Sequence, residues 1–237
     1  MNDHSRSARC YALVPAAGIG ERAGAGMPKQ YVEIAGRPML AHTLAALAAV
    51  PRIAGTLVVL SPADDRFEQA LPGHDGWVAR SGGASRAESV LGGLAALRAR
   101  GASDDDWVLV HDAARCLLQP AWVDALIDAC QHDAVGGLLA QPIADTLKAG
   151  DADGRVAATV DRRDKWAAQT PQMFRLGLVE RALTAMGAAA TDEASAVEAL
   201  GFAPRLVRAS MANFKVTWPE DFELAARWLY QVGPSSR

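Results

Sequence analysis

The sequence predicts an α/β fold, with a mostly parallel central sheet flanked by helices and a β-hairpin arm that protrudes from it. Short apolar segments of strand composition alternate with amphipathic helical segments, which is the pattern of a parallel sheet covered on both faces. The chain has 237 residues and is 50% hydrophobic, so it can bury a large core. Residues 141–165 break the alternation and predict two strands around a turn. We therefore expect a single domain over 1–237, with the arm at 141–165.

Local signals place the individual elements. A strand at 10–14 precedes a glycine-rich loop, and Pro38 can start a helix because proline fits the first helical turn. Ser85 and Glu88 form a capping box, which predicts a helix start. The remaining elements are predicted as strands at 56–60, 107–110, 136–140 and 205–209, and helices at 85–100, 121–131, 176–186, after 192 and from 219. By composition alone, Gln169-Thr170-Pro171-Gln172 is interpreted as a turn, and Lys215 lies between apolar residues in a strand-like run.

The arm is predicted to pack against a surface other than its own two strands. Its two strands carry few apolar residues, and an isolated hairpin is marginal in water. We therefore expect the arm to pack on another surface, such as a second subunit.

Composition excludes several function classes. The chain has 24 Lys and Arg against 27 Asp and Glu, for a net charge of −3, so an extended cationic surface for nucleic acid or anionic membrane is not expected. Three isolated cysteines, Cys10, Cys116 and Cys130, have neither disulfide nor metal-ligand spacing. The polar first residues do not resemble a signal peptide, and no apolar run reaches membrane-spanning length. These features predict a soluble, cytoplasmic protein.

The glycine-rich stretch PAAGIGERAGAGMPKQ, residues 15–30, does not fit two common nucleotide motifs. A dinucleotide fingerprint requires GxGxxG and an acidic residue after the second strand, but this stretch is one residue too long and the strand ends Leu-Ser-Pro. A Walker loop requires Gly-Lys-Ser/Thr, whereas the chain has Pro-Lys-Gln.

The same stretch is nevertheless suited to phosphate binding. Small residues let backbone N–H groups approach a phosphate closely, and Arg22 and Lys29 add positive charge. The small residues concerned are Ala16, Ala17, Gly18 and Gly20. A tight turn without a ligand is the alternative interpretation.

A second candidate site follows the apolar strand at 107–110. Open α/β sheets bind ligands at the carboxyl ends of their strands, which is where Asp112 and Arg115 lie. Asp112 suits Mg²⁺ that is held between a carboxylate, water and phosphates, and Arg115 suits a bidentate phosphate contact. The alternative is an Asp–Arg ion pair that caps the sheet.

Five motifs in order resemble the sugar- and polyol-phosphate nucleotidyltransferases, and among them most closely the 2-C-methyl-D-erythritol 4-phosphate cytidylyltransferase family. The motifs are PAAGxGxR with PKQY, GGxxRxxSV, HDAAR, TDEA and NxKVT, and the resemblance runs from about Tyr11 to about Leu229. It implies a Rossmann-like nucleotidyltransferase fold, a homodimer formed through the arm, and Mg²⁺. It implies transfer of CMP from CTP to 2-C-methyl-D-erythritol 4-phosphate with release of pyrophosphate, a step of non-mevalonate isoprenoid precursor synthesis.

The resemblance also implies roles for individual residues. Arg22, Lys29 and Lys215 would contact the reacting phosphates as catalytic residues. The nucleotide would be bound by Ala16, Ala17, Gly18, Gly83, Arg86, Ser89 and Asp112, and the polyol phosphate by Asp112, Arg115, Thr146, Arg162, Thr170 and Lys215. Part of the second set would come from the partner subunit. Ala23 and Cys116 depart from the family pattern, and TDEA receives no chemical role.

This set suffices for the implied chemistry without a general base. The nucleophile would be a phosphate monoester, whose second pKa is near 6, so it is mostly a dianion at neutral pH. Alternatives that stay open at this point are a cytidylyltransferase for another polyol phosphate such as ribitol 5-phosphate, a non-catalytic nucleotide-binding protein, and a nicotinamide-dependent dehydrogenase.

Overall fold

The structure is a computed structural model that describes residues 7–18 and 27–232. The strands are β1 (Cys10–Pro15), β2 (Glu33–Ile34), β3 (Arg37–Pro38), β4 (Ile53–Val59), β5 (Trp77–Ala79), β6 (Trp107–Val110), β7 (Gly136–Pro142), β8 (Leu147–Gly150), β9 (Val156–Val160), β10 (Trp166–Arg175) and β11 (Arg205–Arg208). The helices are α1 (Met39–Ala48), α2 (Phe67–Ala70), α3 (Arg86–Ala99), α4 (Pro120–Cys130), α5 (Leu176–Met186), α6 (Glu193–Ala199) and α7 (Pro219–Val232).

A seven-stranded sheet forms the centre of the molecule, in the order β11-β7-β10-β6-β1-β4-β5. Neighbouring strands are parallel except around β10, which runs antiparallel to both β6 and β7. The mostly parallel sheet expected from the sequence is therefore confirmed. The parallel strands β1, β4, β5 and β6 end at the same edge of the sheet, where side chains after different strands can meet.

Alternating side chains of the central strands divide between two cores. In β1, Ala12 and Val14 belong to the cluster that contains the apolar faces of α1 and α4. Tyr11 and Leu13 point to the opposite face and belong to the cluster with α3, α5 and α6. Because a buried parallel strand is apolar on both faces, this arrangement explains its unbroken apolar sequence.

Most predicted elements are confirmed, usually within one to three residues at each end. The helix predicted to start at the capping box begins after Ser85, whose side chain accepts a hydrogen bond from the backbone N–H of Glu88. The three cysteines are free and buried, as expected. No helix within the described ranges is long and apolar enough to span a membrane.

The interpretation of Gln169-Thr170-Pro171-Gln172 as a turn was wrong. These residues lie inside β10, where Gln172 pairs with Val110 of β6 and with Leu138 of β7. Their polar composition is typical of a turn, but here it serves hydrogen bonds across the buried sheet. The pairing of β10 with β7 is irregular between Ala168 and Gln172, which is consistent with this unusual composition.

The stretch predicted as strand-like around Lys215 also differs. Residues 211–213 form a short 3-10 turn, and 214–217 belong to neither a helix nor a strand. The backbone N–H of Val216 donates instead to the carbonyl of Ala114, which ties this stretch to the loop after β6. Val216 and Ala225 of α7 then pack with the loop after β6 and the β2–β3 hairpin in a third cluster.

The predicted hairpin arm is confirmed as β8 and β9, which pair only with each other. Every residue of β9 is exposed, and Val156 keeps 65% of its surface accessible. The arm thus presents apolar side chains that its own chain does not cover.

Candidate active site

A cleft of about 270 Å³ opens where β1 and β6 end. Its walls are the loop after β1, the stretch that contains Lys29, the start of α3, the loop after β6, and Lys215. Most residues predicted for phosphate and nucleotide binding therefore meet in one place. A larger cleft of about 560 Å³ lies between α1, β4 and the loop at 70–76, and none of the predicted site residues lines it.

Two hydrogen bonds at Ala16 fix the start of the loop after β1. The backbone N–H of Ala16 donates to the carbonyl of Val59 over 2.8 Å, and the buried side chain of Gln30 donates to the carbonyl of Ala16 over 2.8 Å. A Cβ built at Gly18 would meet no atom of the described residues within 4 Å. Gln30 has no role in the sequence analysis, although it directly follows Lys29 and joins that stretch to the loop.

Two lysines far apart in the sequence lie on this cleft. Lys29 donates from its Nζ to the carbonyl of Val216 over 2.7 Å. Lys215, the preceding residue, places its Nζ 2.9 Å from Oδ2 of Asp112 and stays 40% exposed at the side chain. Arg22, the third predicted catalytic residue, lies outside the described residues.

Asp112 is the centre of the charged groups. Its Oδ1 lies 3.1 Å from Nε of Arg86, and its Oδ2 lies 2.9 Å from Nζ of Lys215 and 3.8 Å from Nε of Arg115. Burial alone would raise the pKa of this carboxyl, but the three cations outweigh burial and hold the pKa well below its usual range. Asp112 is therefore an ionised, acceptor-only group throughout the neutral range.

Arg86 is shared between two carboxylates. Besides its contact with Asp112, it donates from Nη1 and Nη2 to the two oxygens of Glu193, over 2.6 and 3.0 Å. Glu193 is completely buried, whereas the Arg86 side chain is 27% exposed at the cleft. Sequence reasoning assigned TDEA, the motif of Glu193, no role. The sequence signal was an acidic residue in the first turn of a helix, which the helix dipole explained equally well.

Gly83 and Ser89 stabilise the turn before α3. The backbone N–H of Gly83 donates to Oγ of Ser89 over 3.1 Å, and that hydroxyl donates to the carbonyl of Ser85 over 3.0 Å. A Cβ at Gly83 would lie 2.4 Å from Cβ of Glu88, so a larger residue does not fit without a shift. Both residues line the cleft, but their hydrogen-bonding groups already have partners within the turn.

Thr170 and Arg115 lie behind Asp112 rather than on the cleft. Thr170 is buried, and its hydroxyl accepts from the backbone N–H of Asp112 over 3.0 Å and contacts Nδ1 of His111 over 3.0 Å. Arg115 donates from Nη1 to the carbonyl of Asn213 over 2.7 Å, while its buried Nε has no hydrogen-bond partner among the described residues. Burial lowers the pKa of His111 to about 4, so the ring is neutral at pH 7. These groups orient the loop that carries Asp112.

Thr146 and Arg162, the remaining predicted contacts to the polyol phosphate, are at the base of the arm. Both are exposed and neither lines the cleft. Arg162 donates to the carbonyl of Ala144, across the hairpin. The structure of this chain therefore does not bring them together with Asp112 and Lys215.

The described residues that line the cleft offer few protein ligands for a metal ion. No group of three or more His, Cys, Asp or Glu side chains in the described ranges could hold an ion. Asp112 is the acidic residue among those that line the described cleft. Because Mg²⁺ is often bound by one or two carboxylates together with phosphates and water, Asp112 fits an ion that the nucleotide itself largely coordinates.

Comparisons with known proteins assign the family. The family model described as 2-C-methyl-D-erythritol 4-phosphate cytidylyltransferase matches residues 10–231. The bifunctional enzyme IspD/IspF of Albidiferax ferrireducens is 60% identical over 218 residues, which are 92% of this chain and 52% of that protein. The chain thus spans about half the length of that relative.

Two further proteins align with this chain over almost their whole length. The 2-C-methyl-D-erythritol 4-phosphate cytidylyltransferase of Laribacter hongkongensis is 57% identical over 228 residues, which are 92% of this chain and 94% of that protein. A crystal structure of 4-diphosphocytidyl-2C-methyl-D-erythritol synthase aligns with a TM-score of 0.82 and 42% identity, over 94% of this chain and 99% of the other. The chain therefore belongs to the 2-C-methyl-D-erythritol 4-phosphate cytidylyltransferase family.

Proposed function

We propose that this protein transfers CMP from CTP to 2-C-methyl-D-erythritol 4-phosphate, which gives 4-diphosphocytidyl-2-C-methyl-D-erythritol and pyrophosphate. The observation that carries the proposal is the meeting of Lys29, Lys215 and Arg86 on one cleft around Asp112. Such a cluster suits a reaction between two polyanions, in which the main obstacle is charge repulsion.

The reaction is an in-line attack of the substrate phosphate on the α-phosphorus of CTP. The new bond joins a phosphate oxygen to that phosphorus, and the bond to the β-phosphate breaks with release of pyrophosphate. The attacking phosphate has already lost its second proton at neutral pH, so positioning and charge stabilisation are the contributions required of the protein.

The lysines supply that stabilisation. Lys29 and Lys215, together with Arg22 from outside the described residues, are assigned to the α-phosphate and the departing pyrophosphate, because fixed cations stabilise charge that develops in the transition state. Asp112 keeps Lys215 oriented toward the cleft over 2.9 Å. Gly83, Arg86 and Ser89 are assigned to the cytosine and ribose side of the nucleotide.

Mg²⁺ is part of the proposal as a divalent cofactor. Asp112 would hold it indirectly, through water, together with the triphosphate. When bound, the ion neutralises phosphate charge and orients the leaving group.

A homodimer that forms through the arm is also part of the proposal. The exposed apolar residues of β9 support it, as does the absence of Thr146 and Arg162 from the residues that line the described cleft. A partner's arm would bring the polyol-phosphate contacts to the cleft. Three free, buried thiols support a reducing compartment, so we propose a cytoplasmic location.

One assay tests the reaction. The protein is incubated with CTP, Mg²⁺ and one polyol phosphate at a time, with 2-C-methyl-D-erythritol 4-phosphate and ribitol 5-phosphate in the panel, and pyrophosphate is measured. We expect release with the first compound. Faster release with ribitol 5-phosphate would contradict the proposed substrate, and release with none would contradict the proposed reaction.

A further inference from the structure

The pair Arg86–Glu193 is a feature of the site that the proposed reaction does not by itself require. All three guanidinium nitrogens of Arg86 are engaged, Nε with Asp112 and the two Nη groups with Glu193. A carboxylate that accepts both Nη groups fixes the plane of the guanidinium, and a bidentate pair of this kind is directional as well as strong.

Glu193 is itself held in place by the sheet. It is the first residue of α6, whose capping box is formed by Asp192 and Ser195. Gln172 of β10 accepts from the backbone N–H of Ala194 over 2.7 Å and donates to Asp192 over 2.8 Å. The position of the Glu193 carboxylate is therefore set by a central strand and not by a mobile loop.

The balance of charges around Asp112 indicates what the Arg86–Glu193 pair does. Asp112 is one carboxylate facing three cations, Arg86, Lys215 and Arg115. Glu193 compensates the charge of Arg86 and occupies both of its Nη groups. Without that second acceptor, the Nη groups would turn toward Asp112 or toward the phosphates of an incoming nucleotide.

Glu193 reaches the cleft through Arg86. It is 0% exposed and is not among the residues that line the described cleft, whereas Arg86 lines it and is 27% exposed. An ion pair that served only stability would not need to place one of its side chains on the cleft.

We propose that Glu193 is a positioning residue of the nucleotide site, which holds the Arg86 guanidinium so that its Nε meets Asp112 and its exposed edge meets the nucleotide. This inference rests on the proposed function, because it assumes that the cleft binds CTP.

The test is Glu193→Gln, which keeps the shape and removes the charge. We expect the KM for CTP to rise about tenfold, the order of effect of one hydrogen bond to a charged group, while the KM for the polyol phosphate stays unchanged. A purely structural role would lower the amount of folded enzyme and leave both KM values as they are. Glu198→Gln is the matched control, since Glu198 is on the same helix and exposed.

A double-mutant cycle tests whether Glu193 affects the KM for CTP through Arg86 or independently of it. Glu193→Gln in an Arg86→Ala background is expected to add no further rise in the KM for CTP, since the group that it orients is gone. Additive effects, or a KM for CTP in Glu193→Gln equal to that of the unmodified protein, would overturn the inference.

Two controls keep the result interpretable. If circular dichroism shows that Glu193→Gln does not fold, the same cycle is run with Glu193→Asp, which keeps the charge but shortens the reach. Absence of pyrophosphate release by the unmodified protein would contradict the proposed function. Normal release by that protein together with an unchanged variant would contradict only the role of Glu193.

Discussion

In the cleft, Asp112 lies within 4 Å of three cations, whereas in the arm every residue of β9 is exposed to solvent. The cleft groups come from distant parts of the chain and are joined by hydrogen bonds and ion pairs. The arm is held by its own hairpin contacts, such as the hydrogen bond from Lys148 to Thr159. The fold of one chain therefore gathers the charged groups of the cleft, while the residues of β9 stay uncovered by the rest of the described chain.

The largest expected effect is on turnover, from the two cleft lysines. We expect Lys29→Ala and Lys215→Ala each to lower kcat by about 10²–10³-fold, because each removes a fixed cation from the reacting phosphates. Arg181→Ala removes an exposed cation from α5, away from the residues that line the cleft, and serves as the control. Pyrophosphate release measures all three, and near-normal turnover in a cleft variant would contradict the role of that lysine.

Core packing gives the next largest effect, on the free energy of unfolding. Leu94 of α3 is fully buried between helix and sheet, so Leu94→Ala is expected to cost about 2–5 kcal/mol. Leu224→Ala on α7, where the side chain is 52% exposed, is the control and is expected to have little effect. Urea titration of both variants measures the difference, and equal losses would show that the core position is misassigned.

A pH effect follows from the buried ring behind Asp112. His111 titrates near 6.5 when unfolded but near 4 when folded, so between these values the unfolded state binds more protons. Stability is therefore full above pH 6.5 and is lost as the pH falls to 4, by about 3 kcal/mol at about 1.4 kcal/mol per pKa unit. The pKa of the Asp112 carboxyl is also lower in the folded than in the unfolded state. Stability therefore continues to fall as the pH drops below the ordinary pKa of aspartate.

Urea titrations at pH 7 and pH 5 measure this loss. His111→Asn should reduce the difference between the two values, whereas His132→Asn, at an exposed site, should preserve it. An unchanged difference in His111→Asn would indicate that other groups are responsible.

The smallest effect on stability is expected in the arm. Val156→Asp together with Val160→Asp should leave the free energy of unfolding of one chain nearly unchanged, since both side chains are exposed, at 65% and 38%. The same variant should lower the mass found by light scattering if the arm holds two copies together. Leu200→Asp, at 39% exposure, is the matched control. An unchanged mass would contradict the proposed role of the arm.

Local patterns predicted most of the fold. The capping box at Ser85 and the apolar run of Trp107–Val110 specify their own conformation, and both were correctly assigned. β10 was missed, because Gln169-Thr170-Pro171-Gln172 has the composition of a turn. Its strand conformation depends on two neighbouring strands and on partners such as Asn213, which donates to Gln169 and to the carbonyl of Thr170.

The sequence by itself determined the alternation of strands and helices, the family motifs and the residue types that suit phosphate chemistry, because these depend on composition and short spacings. Only the tertiary structure decided that Lys29 and Lys215 share a cleft wall with Arg86, that Glu193 accepts from that arginine, and that Thr170 lies behind Asp112. These contacts join residues from different strands and helices, which are far apart in the sequence. Because hydrogen bonds and ion pairs act only over a few ångströms, short sequence patterns do not reveal them. Folding has to bring such groups together before any of them can act.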